Sequence, residues 1–293
     1  MLTGIVMGGL ALVGLSMMTA LWQFYVFYLF NALGYLFGGP LPNQVLISRW
    51  FSTTRGKIMG IAYLGIGVGG MLVPQIAKAL NVSFGWRGGL LCLGVLMIAI
   101  AFPMAWFVKE DSDEATPSPA QQAASKVPFS HILKKWSFYL LVIGSVCSIG
   151  AVSGTSQNLK LFMSIDLKYS QQMAANVMSI VLGSSIVGRL FMGWLADRIP
   201  KKYVMLLIYF MVAASIPLLY AAKTDGIIYL FAFLFGMALG GDYMIIPLMA
   251  ADLFGVKVLG RVMGIIISAD GLGEAFGPML AAWLRDISGS YVN

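Results

Sequence analysis

The sequence predicts an all-α membrane protein made of two helix bundles, and three observations carry that expectation. Hydrophobic residues make up 59% of the chain and charged residues 11%, against roughly 25% charged in soluble domains. The first charged side chain is Arg49. Forty-eight uncharged residues in one helix would reach about 72 Å, more than twice a bilayer core of about 30 Å, so at least two spans precede it. Finally, a polar stretch over 109–137, with Glu110, Asp111, Asp113, Glu114 and Lys134-Lys135, separates two apolar halves. It reads as a solvated linker between bundles at 1–108 and 138–293.

Hydropathy places nine spans, at about 3–20, 23–47, 57–80, 88–108, 138–160, 174–196, 203–222, 227–250 and 260–284. The polar pair Trp22-Gln23 marks the first turn, and Arg49, Arg55 and Lys57 mark the second. Arg87 and then Lys109 bracket the fourth span. In the second half Asp197-Arg198, Lys201-Lys202, Lys223, Asp225 and Lys257 fall in the short connections.

The basic residues orient the chain. Arg49, Arg55, Lys57, Lys109, Lys126, Lys134, Lys135, Arg198, Lys201, Lys202, Lys257 and Arg261 share one side; Lys78, Arg87, Lys160, Lys168, Lys223 and Arg285 share the other. Twelve against six makes the linker side cytoplasmic, in the cell membrane. The net charge of +7 is then a topology signal, and no soluble basic face exists to bind nucleic acid. No basic segment precedes the first apolar run, which argues against a cleaved leader. Cys92 and Cys147 lie in apolar spans and read as small packing groups. Asn81-Val82-Ser83 matches a glycosylation acceptor but hugs a span end.

The third and ninth spans superpose at a constant offset of 204 residues. Met59, Gly60, Ile61, Gly67, Gly69, Pro74, Leu80 and Gly85 face Met263, Gly264, Ile265, Gly271, Gly273, Pro278, Leu284 and Gly289. Eight shared positions without a gap indicate a duplicated bundle, as in transporters built from repeats. The acids are not duplicated: Asp270 faces Ile66, Glu274 faces Gly70 and Asp242 faces Pro40. Building a bundle therefore does not require them.

One segment concentrates chemistry. In GRLFMGWLADRIPKK, from Gly188 to Lys202, Arg189 lies eight residues before Asp197, roughly 12 Å into a helical span. An intramembrane arginine needs a cavity or a partner, which makes it a functional candidate. GWLADRIPKK resembles the cytoplasmic-loop signature of the major facilitator superfamily, with Pro200 where glycine is usual. SRWFSTTRGKIMGIAYLGIGVGGMLVP followed by GWR is similar to helices four to six of its monocarboxylate and oxalate/formate branch. GGDYMIIPLMAADLFG and RVMGIIISADGLGEAFGP resemble helices ten and eleven.

That resemblance implies a twelve-helix, two-bundle fold of which about nine helices are present, with helices one, two and twelve lacking. Projected back by the repeat offset, the first-half copy of the loop signature falls roughly 16 residues before Met1. A fragment or an internal start is therefore expected. In the same branch the arginine of helix eight contacts the substrate carboxylate, and Arg189 matches it. Two departures stand out: Ser185 replaces the acid found four residues earlier in animal carriers, and Asp270 lies near the lysine of the oxalate/formate exchangers. Both argue against a two-cation site for a dicarboxylate.

The candidate sites follow. Arg189 can grip a carboxylate through two parallel charge-assisted hydrogen bonds, or else brace helices or pair with an acid. Gln157 and Asn158 can hydrogen-bond a polar solute or serve packing. Asp270 and Glu274, four apart on one helix face, resist being charged together in a low dielectric, which suits proton coupling; Asp242 is the third such candidate, and the alternatives are a gate salt bridge or a position that merely lines water. Asp252, near a cytoplasmic span end, reads as structural. Gly193, Asp197, Arg198, Lys201 and Lys202 form the cytoplasmic gate that the resemblance implies. His131 reads as a solvated linker residue. Gly65 to Gly70 satisfies GxGxxG, but inside a span and without a preceding strand, so it serves helix packing.

The expected function is secondary active transport of a small organic solute by alternating access, foremost a monocarboxylate or related organic anion coupled to protons. The alternatives are an exchanger or exporter of a neutral or cationic solute, a receptor, or a truncated remnant. No clustered His/Cys/Asp ligand set or nucleophile–base pair suggests an enzyme, metal or cofactor, and a monomer is expected in the bilayer.

Overall fold

A computed structural model describes residues 1–51, 53–108, 132–221 and 224–291. Residues 109–131 of the expected linker, with His131, lie outside the described residues, as does Lys223. The all-α expectation holds, and the chain is a multi-pass integral membrane protein with seven helices long and apolar enough to span a bilayer among the described residues. Its helices are α1 (Leu2–Ser16), α2 (Leu21–Gly38), α3 (Pro40–Trp50), α4 (Arg55–Trp106), α5 (Trp136–Leu161), α6 (Gln171–Ala196), α7 (Lys201–Tyr220), α8 (Asp225–Phe254) and α9 (Leu259–Ser288). Described residues within 1–50 and 68–108 form one compact unit, and those within 51–67 and 132–291 form another.

In the first unit, the turn expected at Trp22-Gln23 falls earlier, at residues 17–20. The cause is Gln23, whose side-chain oxygen accepts the backbone N–H groups of Thr19, at 2.7 Å, and Ala20, at 3.2 Å. It thereby satisfies donors that a helix start leaves unpaired. The span expected over 23–47 is interrupted at Gly39, because Pro40 brings no N–H to continue the ladder. α4 covers two expected spans, 57–80 and 88–108, and breaks at Gly85. There φ is 69° and ψ 172°, a conformation open to glycine. Gly89 consequently lies beside Leu80 and Asn81, where a continuous helix would hold them about 13 Å apart along its axis. The chain turns back at this point.

The repeat reappears in the backbone. Gly85 and Gly289, partners at the 204-residue offset, both adopt positive φ, 69° and 79°. Pro74 and Pro278, also partners, both sit inside helices.

The second unit is organised as two tightly packed helix pairs. α6 meets α8 through Gly188, Gly236 and Gly240, where an added Cβ would clash with the backbones of Met237, Val181 and Ser185. α5 meets α9 through Gly154 and Gly277 in the same manner, against the backbones of Gly277 and Gly150. Close backbone approach through small residues is how membrane helices gain packing energy without a hydrophobic drive between them. α7 lies along α8, with Ile208 against Gly241. The dry part of this unit runs along α5, α6 and α8, around Val152, Val177, Phe231 and Phe235.

Candidate functional site

Two hydrogen bonds, Ser148–Asp242 and Tyr243–Glu274, bridge the seam between the two glycine-packed pairs of the second unit. α5 presents Ser145 and Ser148 about one turn apart. Ser145 Oγ donates to Asp270 on α9 at 2.6 Å, and Ser148 Oγ donates to Asp242 on α8 at 2.9 Å. The first bond lies within the α5–α9 pair, whereas the second ties α5 to the other pair. Asp242 is fully buried, and its second oxygen, Oδ2, has no hydrogen-bond partner. The Tyr209 hydroxyl on α7 is also buried without a partner, close to Gly144 on α5 and within electrostatic reach of both acids.

Glu274, one turn beyond Asp270, has a different setting. It is exposed, and its Oε1 accepts the Tyr243 hydroxyl at 3.0 Å, again bridging α9 and α8. Both residues line a cavity of about 340 Å³ within this unit. Ser153, Ser156 and Gln157 of α5 complete its polar side; Met178, Val181 and Leu182 of α6 and Leu239 of α8 face it with hydrocarbon. Gln157 Nε2 donates to Ser153 Oγ at 2.9 Å. Asn158 is placed apart from this group. Its amide donates to the carbonyls of Gly154 and Pro278, and its oxygen accepts the Tyr291 hydroxyl at 3.0 Å, so it fastens α5 to α9.

Arg189 is buried on α6, 5% exposed. Its Nη1 donates to Ser185 Oγ, one turn earlier, at 3.2 Å, while Nε has no partner. Gly67 on α4 leaves the guanidinium its room, since a Cβ there would lie 2.8 Å from Nη1. Among the described residues the ion pairs are Lys201–Asp252 and Arg285–Asp286, and no carboxylate lies within ion-pair distance of Arg189. Of the alternatives open in the sequence, pairing with a nearby acid is therefore absent from this conformation.

The loop after α6 closes against the start of α4. Asp197 accepts the backbone N–H groups of Gly56, at 2.7 Å, and Lys57, at 2.8 Å. One carboxylate thus serves two orphan donors at a helix N-terminus, where the helix dipole also favours a negative charge. Gly193 and Gly56 face each other without side chains between them. Lys201 bonds Asp252 at 2.8 Å, while Arg198 stacks on Trp194 at 4.2 Å and Lys202 on its neighbour Tyr203 at 4.8 Å. Asp197→Ala should cost about 1 kcal/mol, the usual worth of a helix cap. A melting temperature a few degrees lower in detergent is the expected readout, and an unchanged one would count against the cap.

Sequence reading missed Ser145, Ser148, Tyr209 and Tyr243. Serines at i and i+3 in an apolar span, opposite intramembrane acids, were the available signal for the first two. Which acid each would meet depends on helix pairing, which the local sequence does not encode.

These features define an all-helical, multi-pass membrane protein with internal duplication and a buried cation that no carboxylate pairs among the described residues. A family model described as the Major Facilitator Superfamily matches residues 1–278. The chain belongs to that superfamily. It is 26% identical to monocarboxylate transporter 12 of Rattus norvegicus, over 98% of this chain and 66% of that protein. With monocarboxylate transporter 12 of Homo sapiens it shares 25% identity, over 98% of this chain and 63% of the relative. The chain thus spans just under two thirds of the length of these curated relatives. Among solved structures, the outward conformation of the transporter FucP aligns with a TM-score of 0.73 at 16% identity, covering 99% of this chain and 77% of that one. Another crystal structure, of the E. coli fucose:proton symporter FucP, gives 0.71, also at 16% identity, over 99% and 78%. At this identity the likeness is one of fold.

Proposed function

We propose that this chain forms part of a secondary active carrier that moves a small organic acid across the bilayer by alternating access, with a proton as the coupled ion. The observation that carries the reading is Arg189, a buried guanidinium with no carboxylate in ion-pair reach among the described residues. A charge in such a place is tolerated when a ligand completes it, and a guanidinium fits a carboxylate through two parallel bonds. Relatives named monocarboxylate transporters support the same class of solute.

Asp242 and Asp270 are the coupling groups in this reading. Both accept a serine hydroxyl from α5, and a proton on either acid converts a charge-assisted bond into a weaker neutral one. Protonation then changes how firmly α5 is tied to α8 and α9. Asp197, Gly193, Arg198, Lys201 and Lys202 hold the cytoplasmic gate, through the cap on α4 and the tie to Asp252.

The test is uptake of labelled monocarboxylates into liposomes containing the purified protein under an inward proton gradient. Faster uptake that falls when the gradient is collapsed is the expected result. Uptake indifferent to the gradient would remove the coupling, and uptake of neutral or cationic solutes alone would remove the carboxylate assignment.

A further inference from the structure

The cavity beside Glu274 has a chemistry of its own, unlike that of Arg189. Its polar side spends donors internally. The Tyr243 hydroxyl is used on Glu274, the Ser153 hydroxyl points to the Glu274 backbone carbonyl at 3.3 Å, and one amide proton of Gln157 goes to Ser153. What is left is the remaining Glu274 lone pairs, the Gln157 carbonyl and its second amide proton, and the charge among these groups is the Glu274 carboxylate. The Ser156 hydroxyl is buried without a partner. Among the described residues no lysine, arginine or histidine lines this cavity. A carboxylate placed here would meet Glu274 as a like charge, with no cation to offset it. A group that donates hydrogen bonds would satisfy the wall, and one with positive charge would do so most strongly.

Tyr243 links the two environments along α8, because it bonds Glu274 and lies one turn after Gly240, which packs against the backbone of Ser185 and Arg189. The hydrocarbon of Met178, Val181, Leu182 and Leu239 lies opposite the polar wall. At about 30 Å³ per water-sized group, 340 Å³ holds roughly ten non-hydrogen atoms.

We infer that this cavity takes the donor-bearing end of the carried solute, so that the solute is a small organic acid with an ammonium or hydroxyl group on a short apolar spacer. The inference rests on the reading of Arg189 as the carboxylate contact. It gives Glu274 the role of recognising substrate rather than carrying the coupled proton, and makes Gln157 and Ser156 its accessory contacts.

The experiment is competition binding on the full chain in detergent, with butanoate, γ-aminobutanoate, γ-hydroxybutanoate and butylamine as probes. The donor-bearing acids should bind at least about tenfold more tightly than butanoate, the worth of one hydrogen bond to a charged group. Their order shows whether ammonium or hydroxyl is preferred. Glu274→Gln, shown to be folded by an unchanged monodisperse elution profile, should erase most of the advantage of γ-aminobutanoate over butanoate. Gln157→Leu should reduce the same advantage in part. Equal binding of butanoate and both donor-bearing acids, or an advantage that survives Glu274→Gln, overturns the inference. Failure of the Arg189 reading looks different: butanoate would bind equally to Arg189→Ala, yet butylamine binding lost in Glu274→Gln would still uphold the cavity assignment. No binding of any probe overturns both.

Discussion

Arg189→Lys should lower the initial rate of monocarboxylate uptake by about 100-fold, almost as severely as Arg189→Ala. Lysine keeps the charge, so a purely electrostatic role predicts a mild effect. The geometry predicts otherwise. Arg189 Nη1 is held by Ser185 one turn back, and Gly67 on α4 shapes the space around the planar head. An ammonium is a point charge that cannot present two parallel donors to one carboxylate. Losing a two-bond, charge-assisted contact costs about 3 kcal/mol, and each 1.4 kcal/mol is tenfold. Proteoliposome uptake with matched protein content checks this. Activity in Arg189→Lys within threefold of wild type would reduce the residue to a general positive charge, and the same result for Arg189→Ala would end its substrate role. Ser185→Ala removes the hydroxyl that holds Nη1 and should fall between these, with a loss of several-fold.

Much of this was legible in the sequence because bilayers constrain sequences strongly. Runs of apolar residues ended by Arg49, Lys109 or Asp197 mark span ends, since an unsatisfied backbone inside lipid leaves helix as the available form. The 204-residue repeat was readable to the point that Gly85 and Gly289 both adopt positive φ. Errors came where a local group outweighed hydropathy, as when Gln23 folded back to cap the helix it begins. In the candidate site, Arg189, Asp242, Asp270 and Glu274 could be singled out by charge alone. Their partners could not. Ser148 meets Asp242 because glycines pair α6 with α8 and α5 with α9, leaving the hydroxyls of α5 on the seam. Gln157 and Asn158 are neighbours with similar side chains, but one faces the cavity and the other is consumed by Gly154, Pro278 and Tyr291. A rotation of about 100° per residue separates them, and sequence alone does not fix that phase.

Asp242→Asn should separate transport from accumulation. Asparagine matches aspartate in size and can still accept from Ser148, so the tie between the two helix pairs survives in neutral form. It cannot take up and release a proton. In a proton symporter, a one-unit inward pH gradient supplies about 1.4 kcal/mol per proton and so permits about tenfold accumulation of the solute. The variant should let labelled solute equilibrate, with an inside-to-outside ratio near one, while exchanging internal for external solute at a rate within about threefold of wild type. Asp270→Asn gives the comparison within the α5–α9 pair. Because glycine packing already holds that pair together, removing its charge should disturb coupling less than removing the charge that links one pair to the other. Counterflow and gradient-driven uptake measured on the same vesicles decide the matter. If Asp242→Asn still accumulates solute tenfold, Asp242 does not carry the coupled proton. If it loses exchange as completely as accumulation, the carboxylate is needed for the conformational cycle itself rather than for its coupling.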